Sequence, residues 1–348
     1  MTLCKLTRDC LKGGYIREWR FDVAIDFSDK LVTVMGGSGF IGRHVVRSLA
    51  KRGYRIRVAC RRPDLAGDVL PYGVPGQIAL VQANVRFPAS VAAACDGAFA
   101  VVNATGTDTS SGAQTFDAVV AFGSEAIAKA ARAAKADVFV MVSGLGAGEN
   151  ESSAAARAKG QAETATTRAF PGAMFVRPSV VFGPDDRFFN KIAAMARFSP
   201  VAPLIGGGTT KVQPVFVGDV AEAIVTLIDA GQATGKTYEL GGPEVADMKE
   251  ITKFTLETAM RKRPMLPLPW SISKLIGTLA SFAPGSPLTA DQVEMLKADN
   301  VVGVKAIAEK RNLEGLGITP RSFRSVTPSY LYRYRKEGQF TTPSGTPQ

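Results

Sequence analysis

The stretch richest in chemistry is Gly36-Gly37-Ser38-Gly39-Phe40-Ile41-Gly42, three glycines at G-x-x-G-x-x-G spacing directly after the apolar run 31–35. Such a turn lets bare backbone approach a pyrophosphate, whose charge then rests on the free N–H groups and positive dipole end of the following helix. A glycine pattern alone is weak, and a purely structural turn is the alternative. Here an amphipathic helix and a second strand follow where the motif requires them, which favours nucleotide binding. Gly36, Ser38, Gly39, Phe40, Ile41 and Gly42 are therefore candidate cofactor-binding positions.

The end of the second predicted strand selects the cofactor. A site that prefers a free ribose 2′-hydroxyl places Asp or Glu there as acceptor, whereas this chain has Arg61-Arg62. Guanidinium groups accept nothing but pair well with a 2′-phosphate, so the expectation is NADP(H), with a solvated basic pair as the alternative. Asn84-Val85 follows the third strand, where an amide meets an adenine. Asn103-Ala104-Thr105-Gly106 follows the fourth, where small residues leave room along the cofactor.

These positions need a parallel βαβ scaffold, and the pattern supplies one. Short β-branched runs at 31–35, 55–59, 78–81, 99–102, 138–142 and 173–176 alternate with helical segments, including 88–96 and the Ala-rich 114–135. The fold class expected is α/β, a Rossmann-type doubly wound parallel sheet with a smaller C-terminal lobe. We divide the chain into an appended arm (1–30), a nucleotide-binding domain (31–180), a lobe with strands returning to the main sheet (181–340, helices at 217–230 and 248–260) and a disordered tail (341–348). A length of 348 residues fits one large core with an added lobe, or two domains.

Composition narrows the classes. Four cysteines without a C-x-x-C pair and a single histidine, His44, exclude a disulfide framework, a structural zinc site and a multi-histidine metal centre. The most apolar late stretch, 264–288, is interrupted by five prolines, two glycines and Lys274, too broken for one spanning helix. Acidic residues punctuate the first thirty positions, so no secretory signal is expected. A net charge of +11 implies an anionic partner or a merely basic surface.

This layout resembles the extended short-chain dehydrogenase/reductase superfamily over about residues 31–246. That resemblance implies a Ser after the fifth strand and a Tyr-x-x-x-Lys on the next helix, the Tyr exchanging a proton with substrate while the Lys lowers its pKa and holds the ribose. Ser143 matches the serine and Lys159 the lysine, but Ala155 stands where the tyrosine should be. No tyrosine lies between Tyr72 and Tyr238, so no small register shift supplies one. Cofactor contact is the reading for Ser143 and Lys159, with ordinary loop and helix surface as the alternative. Without a phenol, poor turnover is expected, because acid–base catalysis contributes about 10²- to 10⁴-fold.

A narrower resemblance rests on the segment from Ala169 through Arg177-Pro178 to Asp186-Arg187-Phe188-Phe189-Asn190, on Gln213-Pro214-Val215-Phe216-Val217 and on Leu266-Pro267-Leu268-Pro269-Trp270. These are similar to the nucleotide-binding accessory subunit of respiratory complex I (NADH:ubiquinone oxidoreductase). The resemblance implies a peripheral, non-catalytic subunit that binds NADPH structurally, with Pro178 among its cofactor contacts, and that partners other complex I subunits near the membrane and quinone region. The expected location is the cytoplasmic face of a bacterial inner membrane, or the matrix side in a mitochondrion. The basic cluster Arg261-Lys262-Arg263 ahead of Trp270, Ile272, Leu275, Ile276, Leu279 and Phe282 suggests contact with anionic lipid or a partner through 261–282, with a helix closing the lobe core as the alternative. Basic and aromatic residues interleave beyond Arg321, which reads as a docking surface and not as a nucleic-acid site. An active NADPH-dependent reductase or epimerase and an NADPH-sensing regulator are the competing functions.

Overall fold

The computed structural model describes residues 28–107, 110, 112, 114–280 and 289–340; the expected tail, most of the expected arm and Phe282 lie outside them. The strands follow the β-branched runs: β1 (Ser28–Met35), β2 (Tyr54–Cys60), β3 (Ile78–Gln82), β4 (Ala100–Asn103), β5 (Val138–Val142) and β6 (Met174–Pro178). Short strands β7 (Val181–Phe182), β8 (Ala202–Ile205), β9 (Lys211–Val212) and β10 (Val215–Phe216) come next. They precede β11 (Thr237–Leu240), β12 (Ala246–Asp247) and β13 (Met265–Leu268). One seven-stranded sheet has the order β3-β2-β1-β4-β5-β6-β11, every neighbour parallel. The order reverses between β1 and β4, where an open α/β sheet leaves a crevice at the carboxyl ends of its strands.

Alternation along each strand builds two cores. Val32, Val34, Val58, Val102, Val138 and Val140 face one way, against Val45, Val46 and Leu49 of α1 (Phe40–Lys51). Met35, Ala59, Val101, Phe139 and Met141 face the other, against α2 (Pro88–Cys95), α3 (Phe122–Ala133) and α4 (Ala154–Ala169). Both faces are covered, which is why these strands read as continuous apolar runs. The expected helix 114–135 begins later, as a π-helical turn Asp117–Ala121 that continues into α3, because Thr115 Oγ1 accepts the Ala118 N–H and starts the helix there.

The lobe has a core of its own, with Phe182, Ile251 and Phe323 packed around Phe189 of α5 (Phe189–Phe198). The chain beyond 181 also returns to the nucleotide layers. Helix α6 (Val217–Asp229) packs Val220, Ile224 and Ile228 into the core shared with α1, and β11 extends the sheet beside β6. Helix α7 (Met248–Thr258) belongs to the lobe, followed by α8 (Trp270–Ala280) and α9 (Ala290–Met295).

Two expectations for the lobe need correcting. Helix α8 does not close its core: it buries Ser273 and Gly277 and turns Ile272, Leu275 (60% exposed) and Ile276 outward. The basic-aromatic stretch is an internal fastening. Arg321 pairs with Asp219, Arg324 with Glu244 and Glu250, Arg333 with Asn190, and Arg335 donates to the Thr258 carbonyl, while Tyr330 is buried. Among the described residues no helix is long and apolar enough to cross a membrane.

Candidate functional site

The glycine turn is shaped by two demands. Gly36 has φ +77°, a left-handed conformation that disfavours a side chain, and its N–H is tied to the Ala59 carbonyl at 2.8 Å. Gly42 lies where a Cβ would come within 2.7 Å of the Gly37 Cα, so α1 starts almost in contact with the turn. The first helical bond runs from Arg43 N–H to the Gly39 carbonyl at 2.9 Å. Helix geometry thus leaves the N–H groups of Phe40, Ile41 and Gly42 without partners inside the helix, and no acidic residue occupies its first turn.

Across the crevice, the Ala104-Thr105 backbone passes so close to Gly36 that a Cβ there would meet the Thr105 nitrogen at 3.1 Å. Asn103, at the head of that segment, fixes the approach by its side chain. Its Oδ1 accepts the Thr105 N–H at 3.1 Å and the Thr105 hydroxyl at 2.6 Å, while its Nδ2 donates to Ser124 Oγ at 2.9 Å. Asn84 closes a turn by accepting the Arg86 N–H at 3.1 Å, leaving its NH2 as the group able to reach a ligand. Val85 is buried against α3.

Arg61 and Arg62 stand exposed at the end of β2. Arg61 donates to Gln114 Oε1 from the β4–α3 connection, and Arg62 is paired with Asp64 at 2.7 Å. Both contacts are solvent-facing and exchangeable for a stronger anion. Beneath them burial pushes the Cys60 thiol up, offset by a hydrogen bond with the Ser38 hydroxyl.

The other end of the crevice holds Ser143, Lys159 and Pro178. Ser143 N–H donates to the Val176 carbonyl at 2.8 Å, and the Pro178 carbonyl accepts the Leu145 N–H at 3.1 Å. The Ser143 side chain is 5% exposed and its hydroxyl has no hydrogen-bond partner. Such an orphaned hydroxyl is an exception to the usual pairing of buried polar groups. Lys159 reaches across to Gly144, where an added Cβ would lie 2.6 Å from Nζ.

The lysine is placed by its neighbours on α4. A Cβ at Gly160 would sit 2.6 Å from the Glu149 nitrogen and 2.7 Å from the Gly148 Cα, so the helix rests directly on backbone there. Glu163, one turn on, takes Arg177 of β6 in a fork, Nε to Oε1 at 2.9 Å, pinning helix to sheet. A glycine inside a helix, which costs about 1 kcal/mol against Ala, was the available signal for that contact. Ala155 lies in the first turn of the same helix and brings only a methyl group.

Residues 36–181 match the NAD(P)H-binding family. The chain is 32% identical over 320 residues to NADH dehydrogenase [ubiquinone] 1 alpha subcomplex subunit 9, mitochondrial, of Arabidopsis thaliana, covering 88% of this chain and 79% of that protein. It is 32% identical over 219 residues to the ceramide reductase of Caulobacter vibrioides, covering 63% and 65% of the two chains. The solved structure of the Escherichia coli NADPH-dependent quinone oxidoreductase complexed with NADPH shares the fold at a TM-score of 0.68 and 18% identity, over 86% of this chain and 99% of that one.

Proposed function

The chain belongs to the family of NADH dehydrogenase [ubiquinone] 1 alpha subcomplex subunit 9, and from that premise we propose that it is an accessory subunit of respiratory complex I that holds NADPH structurally. The Gly36–Gly42 turn would take the pyrophosphate, Arg61 and Arg62 the 2′-phosphate, and the Asn84 amide and Val85 backbone the adenine. Ala104, Thr105 and Gly106 would line the middle, with Ser143, Lys159 and Pro178 around the nicotinamide end. The observation that carries the reading is the pairing of Ser143's unpartnered buried hydroxyl with a methyl group at Ala155. The site has a buried hydroxyl without a protein partner and lacks the phenol that would exchange a proton with a substrate.

A bound nicotinamide would offer hydride chemistry; this chain's residues would bind, orient and neutralise the nucleotide, and they bring no phenol at position 155. Where tyrosine does approach the lobe side it is committed elsewhere, since Tyr330 donates to Asp186 at 2.6 Å and burial raises its pKa far above the usual range. The outward Ile272, Leu275 and Ile276, with Arg261, Lys262 and Lys274 nearby in sequence, suit a seat against the membrane-proximal part of the assembly. That gives a peripheral location on an energy-converting inner membrane.

Detergent-solubilised membranes test this by native mass. The protein should co-migrate with complex I chains, and a lone soluble monomer would contradict the reading. The similarity to a ceramide reductase favours a second reading, an NADPH-dependent reductase acting on a carbonyl. Rapid single-turnover oxidation of bound NADPH by a carbonyl panel, lost in an Arg61→Glu, Arg62→Glu double variant, would decide for that reading.

A further inference from the structure

The helix that carries Lys159 is capped from outside. Its own Ser153 accepts the Ala156 N–H at 3.3 Å, but two further first-turn donors go to a residue more than 130 positions away. Ala154 N–H meets Asp291 Oδ1 at 2.6 Å and Ala155 N–H meets Oδ2 at 3.3 Å; the Ser153 hydroxyl also donates to Oδ2 at 3.0 Å. A carboxylate here answers both the orphan donors and the positive end of α4.

Asp291 lies in the first turn of α9, which is itself held on three sides. Thr289 and Gln292 form a capping box, and Gln292 Oε1 accepts from Lys191 Nζ of α5 at 3.3 Å. Helix α8 then lies on α9 by its small-residue face: a Cβ at Gly277 would be 3.0 Å from the Ala290 nitrogen. The same helix turns its apolar residues outward. A continuous set of contacts therefore joins Lys159 to the exposed face of α8; Asp291 is its link to the first-turn donors of α4, while Glu294 of α9 bonds Ser152 just ahead of that helix and faces Lys274 of α8.

Resting on the nucleotide reading above, we propose that Asp291 is a positioning residue that couples occupancy of the nucleotide site to the seating of α8. A ribose held by Lys159 fixes α4; a fixed α4 keeps its first-turn donors on Asp291; α9 and with it α8 stay in place. By linkage, a partner that fixes α8 tightens nucleotide binding by the same factor.

Hydrogen exchange on the full chain, with and without NADPH, tests this in the wild type, Asp291→Ala and Asp291→Asn. In the wild type NADPH should slow exchange in residues 270–280 by about fivefold or more. In Asp291→Ala that slowing should vanish while slowing at 36–46 persists, and Asp291→Asn should keep part of it because its amide oxygen still accepts the Ala154 N–H. A merely structural cap would shift α8 exchange equally with and without nucleotide. Equal NADPH-dependent slowing in the wild type and Asp291→Ala overturns the proposal, as does an α8 that ignores NADPH while 36–46 responds. Indifference at 36–46 itself overturns the nucleotide reading and this inference with it, so the two failures are told apart at that segment.

Discussion

On the proposed function, the methyl group of Ala155 separates holding a nucleotide from using it, and the residues of the site make separable predictions. Arg61→Glu with Arg62→Glu replaces two donors by two repelling carboxylates, so NADPH affinity should fall by about tenfold or more while NADH affinity changes far less, as read by isothermal titration. The only histidine gives a pH signature. Burial lowers the His44 pKa, and Arg43 and Arg47 lower it further against an opposing effect of Asp185. The folded chain therefore prefers neutral His44. Its contribution is whole above the ordinary histidine value and is lost as pH falls through that value toward the depressed one. Urea unfolding across about pH 8 to 5 should show this loss, and His44→Gln should flatten that part of the curve.

At the scale of elements, α4 and the lobe's fastening carry the next tests. Gly160→Ala forces a methyl into the Gly148-Glu149 backbone and should destabilise by about 1–3 kcal/mol, with Lys159 displaced and NADPH affinity reduced in parallel. Tyr330→Phe removes one of the donors that satisfy the buried Asp186 carboxylate and should cost about 1–3 kcal/mol in urea unfolding. Replacing Ile272, Leu275 and Ile276 together by Ser should leave thermal unfolding nearly unchanged, since their side chains are already exposed, while weakening retention on membranes. The β1-turn-α1 unit was legible because its signals lie within about twenty consecutive residues. Strand β11 was foreseen only as an unplaced return to the sheet, since four residues far from β6 carry no local signature. The Asp291 cap was invisible for the same reason: a carboxylate in one short helix says nothing of a donor pair far upstream. Ser143 and Lys159 were identified through resemblance; their proximity is a product of the fold, which stacks β5, β6 and α4 on one crevice. The outward face of α8 was misjudged in one alternative, because apolar spacing defines a face without saying which side is covered.

At the scale of the whole molecule, a doubly wound sheet with both faces covered gives a rigid cradle; Arg321 ties the lobe to it through Asp219 of α6, while Arg324 with Glu244 and Glu250, and Tyr330 with Asp186, fasten the lobe within itself. On the proposed function, a nucleotide that binds only the folded state would add stability that grows with the ratio of free nucleotide to its dissociation constant. The central claim is that a 2′-phosphorylated nicotinamide nucleotide resides in this site. It is tested most directly by denaturing protein isolated natively from membranes and identifying the released nucleotide by mass spectrometry. The account predicts NADP(H) in near-equal amount to the chain; a supernatant with no nucleotide, or with only the unphosphorylated dinucleotide, would contradict it.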